Sequence, residues 1–215
     1  MNMKFSCLQC GTHGCEKEEG TFPPNCLTTL AIDNDVIEES LAEYNDNQEV
    51  RELAIAAAQV EADYYCKATR AEETVHLCRR LGITKVGIAC CGGLKKEGKA
   101  FAKILESNGL IPYGVICKAG NRDKLDIGLT EEEKVKPNGF EPMCNPILQA
   151  KLLNKEQTEL NVIIGLCVGH DSLFTKYSDA LVTTLVAKDR VLAHNSVAAL
   201  TNLDGYYKKL NSIDE

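Results

Sequence analysis

The chain has 215 residues, 44% of them hydrophobic and 26% charged, the composition of a globular protein long enough to bury a core. Its net charge of −7 is concentrated: Asp33 to Asp63 holds ten acids against the single base Arg51, and the rest is near neutral with no basic stripe, which argues against nucleic acid as a partner. No apolar run reaches the ~18 residues of a membrane span, and Met1–Cys7 has one lysine and no apolar stretch, so the chain reads as cytoplasmic, without a leader or a membrane partner.

Residues 1–30 are rich in Gly, Pro and Cys and show little periodicity. A segment of this kind cannot bury enough surface to order itself unaided. It is expected to be a metal-binding segment, followed by one α/β domain over 31–215. Residues 33–81 have helical periodicity. Asp33 or Asn34 is placed to cap a first helix and Asn47 the next, and Gly82 ends the run. From residue 83 strands and helices alternate. Ile83–Cys90, Ile111–Cys117, Leu160–Cys167 and Leu181–Ala187 read as strands, with Arg190–His194 as a short fifth. Helices follow at Leu94–Ser107, from Asn145-Pro146, at Asp171–Ser178 and from Ser196. Residues 118–143 form a long charged connection. The prediction is an α/β fold, a mostly parallel sheet of four or five strands with helices on its faces.

Eleven cysteines are many for a chain with no secretory features. In a reducing compartment they point to metal ligation or redox chemistry rather than a disulfide framework. Cys7, Cys10, Cys15 and Cys26 form one set. Cys7-Leu8-Gln9-Cys10-Gly11 has the spacing of a metal knuckle, whose turn aims two sulfurs at one ion. Four thiolates suffice for a structural zinc or an iron–sulfur cluster, and His13 is an alternative ligand.

The second set lies at strand ends. Cys90 and Cys91 end the first strand, Cys117 the second and Cys167 the third. Cys144 precedes a helix start, and His170 follows Cys167 by three residues. Parallel sheets place binding sites at their carboxyl edge, so these six residues are expected to converge there as a cofactor site. Helix N-termini favour thiolates. Cys78, beside Leu77 and Leu81, reads as core. It lies about 120° from Cys66 around a continuous helix.

The N-terminal cysteines, Ala89-Cys90-Cys91-Gly92-Gly93, Cys144-Asn145-Pro146, Gly165–Asp171 and Thr183–Asn195 together resemble a family of uncharacterised, cysteine-rich predicted metal-binding proteins of archaea and anaerobic bacteria. The resemblance covers nearly the whole chain. It implies metal binding and brings no reaction. Cys90-Cys91-Gly92, with Cys66 and Cys117, is also partly similar to the Cys-Cys-Gly motif of heterodisulfide-reductase-like subunits, which implies iron–sulfur at the sheet edge. The closing CxxC of that pattern is missing.

Three functions compete. One is a zinc- or iron–sulfur-binding protein, with electron transfer to a redox protein partner as its possible role. Another is a hydrolase with Cys167 as nucleophile, since Gly165-Leu166-Cys167-Val168-Gly169 has the form of a nucleophile elbow, followed by Asp189 and His194. The third is a non-catalytic, metal-stabilised binding module that uses the acidic helices.

Overall fold

The structure, a computed structural model, describes residues 7–213. The reading of the first six residues as no leader lies outside them. The chain divides into two compact units, one up to Ala62 and one from Asp63 onward.

The first unit begins with 3-10 turns at Cys7–Gln9 and Gly14–Glu16, then α1 (Leu27–Asp33), α2 (Val36–Asp46) and most of α3 (Gln48–Tyr64). Helix therefore starts ahead of the expected cap. Asn34 serves the preceding helix instead: its Nδ2 donates to the Leu30 carbonyl at 2.7 Å. Asp35 precedes α2 in a left-handed conformation with no side-chain cap bond. Asn47 does cap α3, its Oδ1 accepting from the Val50 N–H at 3.3 Å.

In the second unit the helical run breaks after Tyr64, and Cys66 takes a left-handed φ of 56°. Thr69 restarts it as α4 (Arg70–Arg80). Its side chain accepts from the Glu72 N–H, while Glu72 accepts from the Thr69 N–H, a reciprocal capping box. His76 is a packing residue, stacked on Tyr64 at 3.8 Å between ring centroids.

The sheet contains β1 (Lys85–Cys90), β2 (Ile111–Ile116), β3 (Leu160–Ile164) and β4 (Leu181–Val186). All are parallel, in the order β2-β1-β3-β4. Arg190–His194 is no fifth strand: Ala193 and His194 both take left-handed φ values, which closes a turn. In β4 one extra residue at Leu185 opposes the Ile163–Ile164 step of β3.

A strand's side chains alternate between faces. Val86, Ile88 and Cys90 of β1, with Leu160, Val162 and Ile164 of β3, join one core, packed by Val75 and Cys78 of α4 and by Phe101 and Leu105 of α5 (Lys95–Ser107). Ala89 and Ile163 join a second core on the opposite face. It is packed by Ala150 and Leu153 of α6 (Pro146–Lys155) and Phe174 of α7 (His170–Tyr177). Helices on both faces explain why β3 is buried at every position. A short α8 (Val197–Thr201) follows β4.

The 118–143 connection has a 3-10 turn at Lys124–Ile127. It is organised by Lys134, whose side chain is 1% exposed and pairs with Asp123 and Glu131, each at 3.0 Å. The connection returns on itself: the Met143 N–H donates to the Arg122 carbonyl, and that of Asn145 to the Cys117 carbonyl, both at 2.8 Å. Among the described residues no helix is long and apolar enough to cross a membrane.

Candidate metal centre

The chain runs from β1 out to β2 on one side, then returns past β1 to β3 on the other. The loops leaving β1 and β3 diverge there, which opens a crevice at the carboxyl edge. Cys91 and Cys167 leave the two strands that flank it. Cys117 follows β2, and its backbone N–H is held by the Cys90 carbonyl at 2.9 Å. Cys144 enters from the 118–143 connection just ahead of α6, where Asn145 caps the helix by accepting from the Leu148 N–H at 2.9 Å. His170 is the first residue of α7. Cys91, Cys117, Cys144, Cys167 and His170 line one pocket.

Cys90 does not join them. Alternation sends it to the opposite face, where its thiol donates to the Cys91 and Leu94 carbonyls at 3.2 Å. Gly98 of α5 accommodates its sulfur, for a Cβ there would sit 2.9 Å from it. Burial pushes the Cys90 thiol up to about 11. Cys66 is exposed in its turn, and Cys78 is core, likewise pushed up by burial to about 11. The cluster-type constellation of Cys66, Cys90, Cys91 and Cys117 is therefore not assembled.

The Cys144 and Cys167 sulfurs and a ring nitrogen of His170 all lie within 4.8 Å of one another. Cys117 extends the group. It donates to Cys144, which holds Cys144 well below the ordinary thiol value despite burial, with Lys118 and His170 adding to the effect. The same bond, with burial, drives the Cys117 thiol far upward. Cys117 also accepts from the Gly92 N–H at 3.3 Å, so the glycine turn before α5 serves a thiol. Burial alone would raise Cys91, but the Lys188 ammonium, 2.9 Å from its sulfur, and the Gly93 N–H bring it below the ordinary thiol value. Arg190 donates to the Cys167 sulfur at 3.0 Å. The pocket leaves no room for a water molecule.

Lys188, Arg190, Lys118 and Gln149 are the participants that sequence reasoning missed. Gln149 had a signal. Pro146, Gln149, Ala150 and Leu153 mark the buried face of α6, and a polar residue on such a face has a task. Its Nε2 donates to the Val115 and Cys90 carbonyls at 2.7 and 3.2 Å. Its buried Oε1 has no partner among the described residues.

The hydrolase wiring is not formed. The Asp189 carboxylate accepts from the Val191 and Leu192 N–H groups at 3.0 and 2.8 Å. His194 Nδ1 accepts from the Asp189 backbone N–H at 3.1 Å. This carboxylate caps a turn rather than orienting an imidazole.

In the first unit, Cys7, Cys10, Cys15 and Cys26 line a separate cavity of about 420 Å³. Cys10 is lowered to about 7 by Thr12, followed by the His13 N–H, and Cys26 is lowered by Thr28. His13 pairs with Glu16 at 3.3 Å.

A family model described as "Protein of unknown function (DUF1847)" matches residues 26–185. An uncharacterized protein of Methanocaldococcus jannaschii is 42% identical over 185 residues, which is 86% of this chain and 93% of that protein. No solved structure matches the chain.

Proposed function

The chain belongs to the DUF1847 family, and from that premise, which brings no activity with it, we propose that the protein binds a single zinc-type ion at the carboxyl edge of its sheet. The observation that carries this reading is the convergence of Cys144, Cys167 and His170 within 4.8 Å. Thiolate and imidazole donors suit zinc and other borderline or soft ions rather than calcium or magnesium. The sulfur of Cys117, in contact with Cys144, is the nearest further donor, and the resulting Cys₃His set is that of a closed structural zinc site. An ion would replace the proton shared by these two thiols. A pocket with no room for water favours one small ion over a bulkier group.

The cations around the pocket support the same reading. Lys188, Arg190 and Lys118 offset the charge that several thiolates would accumulate. Cys91, held by Lys188, stays beside the centre as a further sulfur.

A second reading rests on the Cys117–Cys144 pair. A thiolate against a thiol is the arrangement of a dithiol that closes to a disulfide, passing two electrons to an oxidising protein partner and releasing the one proton that Cys117 still carries. One experiment separates the two. The full chain, purified without oxygen, is analysed for zinc beside Cys144→Ser and Cys167→Ser variants. About one zinc per chain lost in both variants supports the metal centre. A sheet edge that holds no metal but forms a reversible Cys117–Cys144 disulfide, seen by mass spectrometry, replaces it with the redox reading.

A further inference from the structure

The two cysteine sets differ in how their sulfurs are arranged. At the sheet edge three donor atoms already lie within 4.8 Å of one another. Among the described residues no three donor atoms of the first unit do so. One tetrahedral zinc, with Zn–S bonds of about 2.3 Å, brings its sulfurs to roughly 3.8 Å of each other. Cys7, Cys10, Cys15 and Cys26 instead stand around a cavity of about 420 Å³, many times the ~30 Å³ share of one water in the liquid. That space is out of proportion to a single ion. An iron–sulfur cluster fits it, because each cysteine binds a different corner of the body or one of two irons, and the sulfurs stay apart.

The wall has the character of such a site. The Cys26 sulfur accepts from the Thr28 N–H at 3.4 Å, and the Cys10 sulfur hydrogen-bonds with the Thr12 hydroxyl at 3.3 Å. Hydrogen bonds to ligand sulfurs are one of the levers that tune a cluster. Phe22, Pro23 and Leu27 supply an apolar side. The loop is also built to hold its shape. A Cβ on Gly20 would sit 1.9 Å from the Gly14 carbonyl oxygen, and one on Gly14 would sit 2.3 Å from that of Thr21. Gly14 and the Gly20-Thr21 segment approach so closely that only glycine fits, between Cys10 and Cys26.

We propose that Cys7, Cys10, Cys15 and Cys26 bind a four-cysteine iron–sulfur cluster, so that the chain carries two centres of different kinds. Binding is ligand exchange: each thiol gives up its proton and forms one iron–sulfur bond, displacing a ligand of the incoming cluster. The assignment stands independently of the sheet-edge ion.

The test uses the full chain purified without oxygen. Iron, acid-labile sulfide and zinc are measured in the wild type, in Cys10→Ser/Cys26→Ser and in Cys144→Ser/Cys167→Ser. Iron and sulfide in equal amounts, with a broad visible absorption bleached by dithionite, are expected in the wild type and in the second variant. Both are lost in the first. Zinc without sulfide that disappears in the first variant overturns the proposal. So does iron and sulfide that disappears only in the second. Alkylation mapping on the wild type covers the case in which the first variant fails to fold. The four N-terminal cysteines are protected until oxidation and chelation remove the visible absorption. Their immediate labelling in a chain that still absorbs also overturns the proposal.

Discussion

Cys117 and Cys144 share a proton unequally, and the inequality is measurable. Cys144 is held below the ordinary thiol value, chiefly by the Cys117 hydrogen bond, so of the two it gives up its proton first. Cys117 is driven upward by the same bond and must release a proton before it binds an ion. Calorimetric titration of zinc into the metal-free chain, in buffers of different ionisation enthalpy, counts that proton. Cys117→Ser lowers the count by about one. An unchanged count means Cys117 is not a ligand. Affinity then falls as the pH drops, because protons compete with the ion first for Cys117 and at lower pH for Cys144 as well. The strand-end clustering was legible at this scale because a cysteine ends β1 and one follows each of β2 and β3 within three residues. The parting of Cys90 from Cys91 was missed: both were expected in one site, although adjacent strand positions face opposite ways. Lys188 and Arg190 were not legible, because nothing in a Lys-Asp-Arg turn says which sulfur each cation will reach.

The 118–143 connection decides where Cys144 stands. Its buried Lys134 pairs with Asp123 and Glu131. Asp123 is lowered from 3.8 to about 2, first by the Leu125 N–H and then by Lys134 and the Glu141 N–H. A carboxylate lowered on folding contributes stability above its unfolded value and loses it as pH falls through the folded one. The connection therefore keeps its order near pH 4 and loosens toward pH 2. Pepsin cleavage within 118–143, normalised to an unstructured peptide, accelerates across that window. Lys134→Met makes cleavage fast already at pH 4. Equal rates at both pH values in the wild type count against this account. The strands and α5–α7 were readable from alternating apolar segments, caps and glycines. The order in this connection was not, because its centre is a buried lysine, and sequence alone reads a lysine as solvated surface.

Each of the two units has its own cysteine set, so loss of one centre should register in one unit. With zinc at about 1,000 times its dissociation constant, the bound ion adds ~4 kcal/mol to the unit that holds it. Stripping zinc with a chelator should then cut amide-exchange protection in β1 and β3 by about 1,000-fold, followed by hydrogen-exchange mass spectrometry. Unchanged protection would remove the ion from the energetics of this fold. The division between units falls within α3. A helix passes through it without interruption, so no loop composition or glycine-proline punctuation marks it in the sequence. The acidic excess was legible, and it resides in the exposed positions of α2 and α3.

The extra residue at Leu185 acts as a vernier between β3 and β4. It offsets β4 by one position just before the chain crosses the thiol pocket. With that offset, Lys188 and Arg190 arrive on Cys91 and Cys167, and Asp189 between them turns back into its own loop. A strand one residue out of step would bring Ala187 and Asp189 to those two places. The two sulfurs would then face a carboxylate instead of two cations. One bulge in an edge strand thus sets the sign of the charge that the centre sees.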